Sequence, residues 1–138
     1  MKIEITVALV GLLGAFCGML ISVYVVRYML TTTAKHRFAA AFTDELTILK
    51  SGKKVVNDCA TMQLLEGSFS KHSKAYIELW SVLDCFGKWR IEKKWDTYKY
   101  GKGNNRNNER FLYLVPVKGK DEATVIKIAS KHIESLIS

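Results

Sequence analysis

An uncharged run of 22 residues, Ile5 to Val26, constrains this chain more than any other feature of its sequence. As a helix that rises about 1.5 Å per residue, the run would be about 33 Å long, which is enough to cross a hydrocarbon core of about 30 Å. Tyr24, Arg27 and Tyr28 would form the aromatic and cationic edge that is typical of a helix leaving a bilayer. The sequence therefore predicts a transmembrane helix over 5–28.

A cleaved signal peptide is the main alternative for such a run. Its positive n-region would be thin here, because Lys2 is offset by Glu4. The apolar run is also longer than a usual h-region, and no cleavage site of small residues follows it. We therefore interpret the segment as a permanent span.

The bases that flank the run predict its orientation. Lys2 is the base on the N-terminal side, whereas Arg27, Lys35 and Arg37 follow the run closely. Because positive charge is concentrated on the cytoplasmic side of membrane helices, the N-terminus is predicted to lie outside. The rest of the chain would then lie in the cytoplasm, attached to a bacterial inner membrane by a single span.

Small side chains share one face of the predicted span. At about 100° per residue they fall within a stripe about 120° wide. The stripe consists of Ala8, Gly11, Gly14, Ala15, Gly18 and Ser22. Such stripes let two helix backbones approach closely in lipid. The sequence therefore predicts contact with another transmembrane helix, either of a second copy or of a larger membrane protein.

The residues after the span predict an all-α fold, with about five helices in a small cytoplasmic domain over 29–138. Apolar residues recur there at helical spacing. The predicted helices are 31–50, 57–66, 70–86, 88–100 and a last helix that Asp121 caps. Residues 1–4 form an N-terminal tail, and the polar segment 101–110 is predicted to be a flexible loop. The segment 111–117 that follows it is predicted to be an extended connector, because it contains Pro116.

Several details of the helices follow from the same periodicity. Gly67 is predicted to end the second helix after the span. Phe86 is placed on the buried stripe of the third, together with Leu79 and Leu83. Glu45 lies near the centre of the apolar stripe of the first. Because a carboxylate in such a position must be paired, a structural ion pair with a Lys or Arg is predicted, and a catalytic or ligand role is the alternative.

Some of these positions form a longer pattern. It reads Phe38-x3-Phe42-x2-Glu45-Leu46, then Lys71-His72-x2-Ala75-x2-Glu78-Leu79-x3-Leu83, then Trp95-x2-Tyr98. The pattern resembles that of a group of uncharacterised bacterial membrane proteins, which have one N-terminal span and a small helical domain. The resemblance covers roughly Phe38 to Tyr98 and the final helix, with Leu79 in place of an expected aromatic. It implies the architecture and no activity.

No motif in the sequence points to catalysis, a cofactor or a metal ion. The cysteines and histidines form no C-x2-C or H-x3-H pair, which are the usual spacings of zinc ligands. Cys59 and Cys85 would remain thiols in a reducing cytoplasm. Gly101-x-Gly103 lacks the third glycine of a dinucleotide fingerprint, and no phosphate-binding G-x4-G-K-[ST] loop occurs. We therefore expect no catalytic residue, no cofactor and no enzymatic activity.

The net charge of +8 indicates an anionic partner. Bases and aromatic residues are interleaved between Lys88 and Arg110. The candidate contact residues are Lys88, Trp89, Arg90, Lys93, Lys94, Lys99 and Lys102. This composition fits either anionic membrane lipid or single-stranded nucleic acid, and a membrane tether favours lipid. A solvated basic surface over a core of Trp95 and Tyr98 is the structural alternative.

Taken together, these features predict a structural or accessory interaction subunit of a membrane assembly. The assembly could be a homo-oligomer or a larger complex. A membrane-tethered nucleic-acid-binding protein is the first alternative, and a membrane-disrupting oligomeric effector is the second. Since Ile5 to Val26 contains no Asp, Glu, Lys, Arg or His, a single helix offers no ion pathway of its own.

Overall fold

The computed structural model describes residues 2–51, 60–102, 110–111, 114 and 121–138. Regular structure within these ranges is helical throughout, so the predicted all-α class is confirmed. The helices are α1 (Lys2–Ala41), α2 (Thr43–Lys50), α3 (Ala60–Val82), α4 (Cys85–Tyr100) and α5 (Glu122–Ile137). In the described part of the chain, four helices follow α1, whereas the sequence predicted about five.

The lower number arises because two predicted helices form one. α3 continues through Gly67, so the predicted stop at this residue was wrong. A glycine inside a helix costs about 1 kcal/mol relative to alanine. Leu65 before Gly67 and His72 after it are both 0% exposed. The burial of these two side chains outweighs the cost of the glycine.

The next boundary also differs from the prediction. α3 ends at Val82 and α4 begins at Cys85, because Asp84 caps the new helix. Its Oδ1 accepts the backbone N–H of Gly87 at 2.7 Å. The break changes the angular position of the residues that follow. Phe86 is consequently 64% exposed, which corrects its predicted place on the buried stripe.

Alanine at the two glycines should change stability in opposite directions. A Cβ at Gly67 has nothing within 4 Å, so Gly67→Ala should stabilise the domain by about 0.5–1 kcal/mol through helix propensity. A Cβ at Gly87 would lie 2.8 Å from Asp84 Oδ1 and 3.2 Å from Leu83 Cδ2. Gly87→Ala should therefore destabilise it by about 1–3 kcal/mol. Urea unfolding of the detergent-solubilised chain, followed by near-ultraviolet circular dichroism, measures both; a loss of stability in Gly67→Ala would contradict this account.

The surroundings of α1 change at Thr31. Every side chain from Ile5 to Leu30 is exposed, and Thr31 is the first that is half-buried. Further along the same helix Phe38 is 2% exposed, and Phe42, in the turn before α2, is 0% exposed. One uninterrupted helix therefore contains both the apolar segment and the first layer of the core.

α3 runs antiparallel to α1. The His72 ring stacks on Phe42 with centroids 4.0 Å apart. Leu79, seven residues after His72, borders the same groove as Lys35, seven residues before Phe42. As each helix rises about 1.5 Å per residue, the C-terminal end of α3 lies level with about Thr31 of α1.

α4 runs in the opposite direction to α3. Its end lies beside Phe42, in the turn between α1 and α2, and the ring centroids of Tyr98 and Phe42 are 5.5 Å apart. Its first turns border the groove beside Lys35. Its buried side chains include Ile91, Trp95 and Tyr98, and the last two form the core that the structural alternative for this segment required. The turn between α3 and α4 is therefore at the end of the domain that is nearest to the apolar segment of α1.

α5 closes the core as predicted. Asp121 caps it by accepting the backbone N–H of Thr124 at 3.2 Å. Its buried stripe consists of Val125, Ala129, Ile133 and Leu136. Of the predicted loop 101–110, residues 103–109 lie outside the described residues. The predicted connector 111–117 is described at Phe111 and Leu114, which are both buried.

Candidate functional site

Three helices bring a cluster of polar side chains into the core. Glu45 comes from α2, Lys71 and His72 from α3, and Tyr98 from α4. Lys71 Nζ lies 2.8 Å from Glu45 Oε1, which is the structural ion pair that the sequence predicted. His72 Nδ1 lies 2.8 Å from Tyr98 Oη. His72 Nε2 and Glu45 Oε2 are 3.2 Å apart, although they are poorly aligned for a hydrogen bond.

The environment of Glu45 favours its ionised form. Burial by itself raises the pKa of this carboxyl, but hydrogen bonds from Lys71 and Ser68, with a smaller contribution from His72, outweigh the burial. The pKa of Glu45 falls from 4.5 to about 2 as a result. Glu45 is therefore a carboxylate at every physiological pH.

His72 is held in its neutral form. Burial lowers its pKa more than the neighbouring Glu45 carboxylate raises it. Since a carboxylate only accepts hydrogen bonds, the proton of the neutral ring belongs on Nε2, which faces Glu45. Nδ1 then accepts the hydroxyl proton of Tyr98.

This cluster acts in the packing of the domain. The side chains of His72 and Glu45 are 0% and 5% exposed, so a substrate has no access to either. Phe42 covers one face of the His72 ring. The arrangement joins α2, α3 and α4 through polar contacts within an aromatic core.

The remaining thiols and imidazoles are dispersed. Within the described ranges no group of three or more Cys, His, Asp or Glu side chains could hold a metal ion. Cys17 and Cys85 are exposed on α1 and α4, and Cys59 lies outside the described residues. His132 is half-buried on α5, and burial together with Lys102 and Lys131 lowers its pKa.

The predicted basic and aromatic segment is divided by the fold. Lys88, Trp89, Arg90 and Lys93 lie within the first nine residues of α4, where Trp89 is 51% exposed. The others are placed differently. Lys94 is half-buried and has its pKa lowered by burial and by Arg90; Lys99 is 17% exposed and pairs with Asp96 at 3.1 Å; Lys102 is exposed beyond the other end of α4.

Two exposed aromatic side chains lie beside the residues in the first part of α4. Trp80 at the end of α3 is 42% exposed, and Phe86 at the start of α4 is 64% exposed. We call the group the corner patch; it consists of Trp80, Phe86, Lys88, Trp89, Arg90 and Lys93. The Asp84 cap is the sequence signal that could have revealed it, because a helix start at that position turns Phe86 away from the core.

Cations lie over the aromatic rings of the corner patch. Lys88 Nζ is 4.1 Å from the centroid of the Trp80 ring, and Lys93 Nζ is 4.0 Å from that of Trp89. The rings of Phe86 and Trp89 stack, with centroids 5.9 Å apart. These contacts give the patch a defined arrangement on the surface, since cation–π pairs at exposed sites contribute about 0.5–1 kcal/mol each.

The small-residue face of α1 is uncovered within the part of the chain that the structure describes. A Cβ placed on Gly11, Gly14 or Gly18 would have nothing within 4 Å. Ser22 Oγ donates a hydrogen bond to the Gly18 carbonyl oxygen at 2.9 Å, which satisfies this hydroxyl inside its own helix. The face is therefore open to a neighbouring helix.

Comparisons with known proteins found no match among family models, curated proteins or solved structures. The function of each candidate site is therefore inferred from the geometry of this chain alone. α1 is long and apolar enough to cross a membrane, and none of its most apolar residues is buried in the protein.

Proposed function

We propose that this chain is a single-span membrane protein whose span joins a membrane assembly and whose helical domain is a non-catalytic interaction module. The observation that carries this proposal is the exposure of α1. Its apolar side chains from Ile5 to Leu30 are exposed on every side, and the same helix then enters the core. The resemblance to single-span bacterial membrane proteins supports the same architecture.

Lipid is the environment that suits such a segment. Soluble monomers rarely expose a continuous apolar patch larger than a few hundred Å². A helix that is apolar all round is stable when hydrocarbon surrounds it, because its backbone groups are already bonded within the helix. Exposed Tyr24 and Tyr28 then lie where aromatic residues favour the headgroup level.

The side of the membrane follows from charge. Arg27, Lys35 and Arg37 are exposed on α1 just after the apolar segment. On the positive-inside rule the domain lies in the cytoplasm and the N-terminus outside, in a bacterial inner membrane. Cys85, which is exposed, is a reduced thiol in that compartment.

The direction of the small-residue face supports a second helix as its partner. Counting about 100° per residue along α1, the centre of this face points about 145° away from the mean direction of Phe38, Ala34 and Ala41, which pack into the domain. The domain therefore occupies the side of α1 opposite to the small-residue face. A neighbouring helix can approach that face without meeting the domain of its own chain.

Enlarging the small-residue face should weaken this association. Gly14→Leu with Gly18→Leu keeps the segment apolar, but separates the two helix backbones. Since contacts of this kind contribute about 1–2 kcal/mol, we expect association about tenfold or more weaker, with unchanged insertion. Native mass measurement in mild detergent reports the association, and resistance to carbonate extraction reports the insertion.

A matched pair of variants enlarges the opposite face. Leu13→Phe with Leu20→Phe adds volume about 180° from the centre of the small-residue face, so it should leave the association unchanged. Equal association of the two double variants would show that the small-residue face makes no contact. Extraction of the native chain by carbonate would overturn the proposed span itself.

A further inference from the structure

The corner patch combines three exposed aromatic rings with three cations at one place on the surface. Trp80, Phe86 and Trp89 are 42%, 64% and 51% exposed, which is unusual for rings of this size in a small domain. Neither the proposed association of α1 nor the core of the domain uses them. Aromatic rings beside lysine and arginine are typical of surfaces that lie at the membrane–water interface.

The position of the patch relative to α1 points to one partner. His72 lies level with Phe42, and Leu79 with Lys35, so Trp80 lies level with about Ala34. For α4 the contact of Tyr98 with Phe42 places Phe86 level with about Leu30. Phe86 is then about 6 Å beyond the end of the uncharged run, measured along α1.

That distance corresponds to the headgroup layer. A bilayer has about 30 Å of hydrocarbon and is about 40–45 Å thick with its headgroups, which leaves about 5–7 Å on each side. Tyr28, Met29 and Leu30 are also exposed on α1 at this level. The α3–α4 turn is thus at the depth where aromatic side chains are favoured.

We propose that the corner patch docks onto the anionic headgroup surface of the membrane that α1 spans. The proposal rests on the proposed membrane span. The aromatic rings enter the headgroup layer, and Lys88, Arg90 and Lys93 contact the phosphates. The domain is thereby held against the lipid surface at two points, its own helix α1 and the α3–α4 turn.

The local charge is complementary to this surface. Two acids lie near the three bases of the patch: Asp84, which caps α4, and Glu92, which precedes Lys93 in the sequence. The bases of the patch therefore outnumber the acids near it. Arg27, Lys35 and Arg37 on α1 add positive charge at the same level of the molecule. Bases close to an anionic leaflet attract it within about one Debye length, which is about 8 Å at physiological salt.

The cation–π contacts favour lipid over single-stranded nucleic acid as the partner. A base stacks on a free ring face. Lysine ammonium groups already lie over the rings of Trp80 and Trp89, at 4.1 and 4.0 Å from their centroids. Trp80 and Trp89 are still 42% and 51% exposed, and entry into a headgroup layer needs no stacking on a ring face.

Cys85 provides a label beside the patch in the full chain. With Cys17→Ala and Cys59→Ala, a fluorophore on Cys85 is measured in vesicles that carry a headgroup-level quencher. A second chain, with Cys85→Ala and Lys102→Cys, carries the label beyond the far end of α4, about 24 Å away along the helix. In vesicles that contain phosphatidylglycerol, docking predicts quenching of the Cys85 label at least about twofold stronger than that of the Lys102→Cys label.

Charge variants identify the contact. Lys88→Gln, Arg90→Gln and Lys93→Gln together should reduce this difference, and so should vesicles of phosphatidylcholine alone. The matched control, Lys102→Gln, Lys127→Gln and Lys131→Gln, removes three exposed bases elsewhere and should keep the Cys85 quenching strong. Replacing Phe86 and Trp89 by serine should weaken it, because both side chains are exposed and the core is left intact.

Three results would overturn the docking. One is equal quenching at the two label positions, and another is quenching that is independent of lipid charge. The third is a change in the fluorescence of the Cys85 label that single-stranded RNA causes and vesicles do not. This result would assign the patch to nucleic acid. If carbonate leaves the chain in the membrane in such a case, the proposed span stands and the docking alone fails; extraction by carbonate contradicts the span.

Discussion

Phe42→Ala should unfold the helical domain at ordinary temperature. Phe42 is 0% exposed and contacts three rings: it stacks on His72 at 4.0 Å and meets Phe38 and Tyr98 edge-on at 5.1 and 5.5 Å. Truncating a buried phenylalanine costs about 3–5 kcal/mol, whereas a domain is stable by about 5–15 kcal/mol in total. A small domain has a stability near the lower end of that range.

Near-ultraviolet circular dichroism of the full chain in detergent measures this loss, because it reports aromatic side chains in fixed environments. Phe86→Ala makes the same chemical change at an exposed ring, so it should alter the free energy of unfolding by less than about 0.5 kcal/mol. A loss of less than about 1 kcal/mol in Phe42→Ala would show that the ring cluster is not the centre of the core.

Glu45→Gln should destabilise the domain at neutral pH and remove much of its sensitivity to acid. The pKa of Glu45 is about 2 in the folded protein, against an ordinary value of 4.5. The unfolded chain therefore takes up a proton at this group before the folded chain does. The contribution of Glu45 is complete above about pH 5 and is lost as the pH falls toward 2, and it is on the order of 2–3 kcal/mol.

His72 acts in the same direction at higher pH. Its pKa is lowered by burial, so the folded chain holds the ring neutral while the unfolded chain gains a proton as the pH falls below about 6.5. Acidification from pH 7 therefore weakens the domain first through His72 and then through Glu45. Glu45→Gln should remove the second part of this dependence.

Urea midpoints between pH 7.5 and pH 3 separate the two parts. Asp44→Asn is the matched control, because Asp44 is adjacent in sequence and 3.5 Å from the same Lys71, but its side chain is 80% exposed. It should leave both the midpoint at pH 7 and the acid dependence nearly unchanged. Equal acid dependence in the native chain and in Glu45→Gln would contradict the assignment to Glu45.

The helices were predictable from the sequence where one face alone determines burial. The stripes of α4 and α5 are of this kind, because apolar residues at helical spacing face one core. The boundaries inside 57–100 were not. Whether Gly67 ends a helix depends on the packing of Leu65 and His72, which single-residue propensity does not contain. The angular position of Phe86, and therefore its exposure, depends on a single helix cap at Asp84.

The candidate sites were predictable to different extents. That Glu45 needs a cation followed from its place on an apolar stripe. Its partners Lys71 and His72 lie 26 and 27 residues further along the chain, and their pairing requires the packing of α3 against α2. The corner patch requires the turn between α3 and α4 as well, because Trp80 and Lys88 come from different helices.

The continuity of α1 has a consequence for synthesis. Under the proposed topology its apolar segment leaves the ribosome first and enters the membrane, while the core is still unfinished. Phe38, on the same helix, borders a groove together with Leu136 of α5, which is made much later. The domain therefore completes its fold on a chain that is already anchored, and the exposed core of the nascent domain is confined to the membrane surface until α5 arrives.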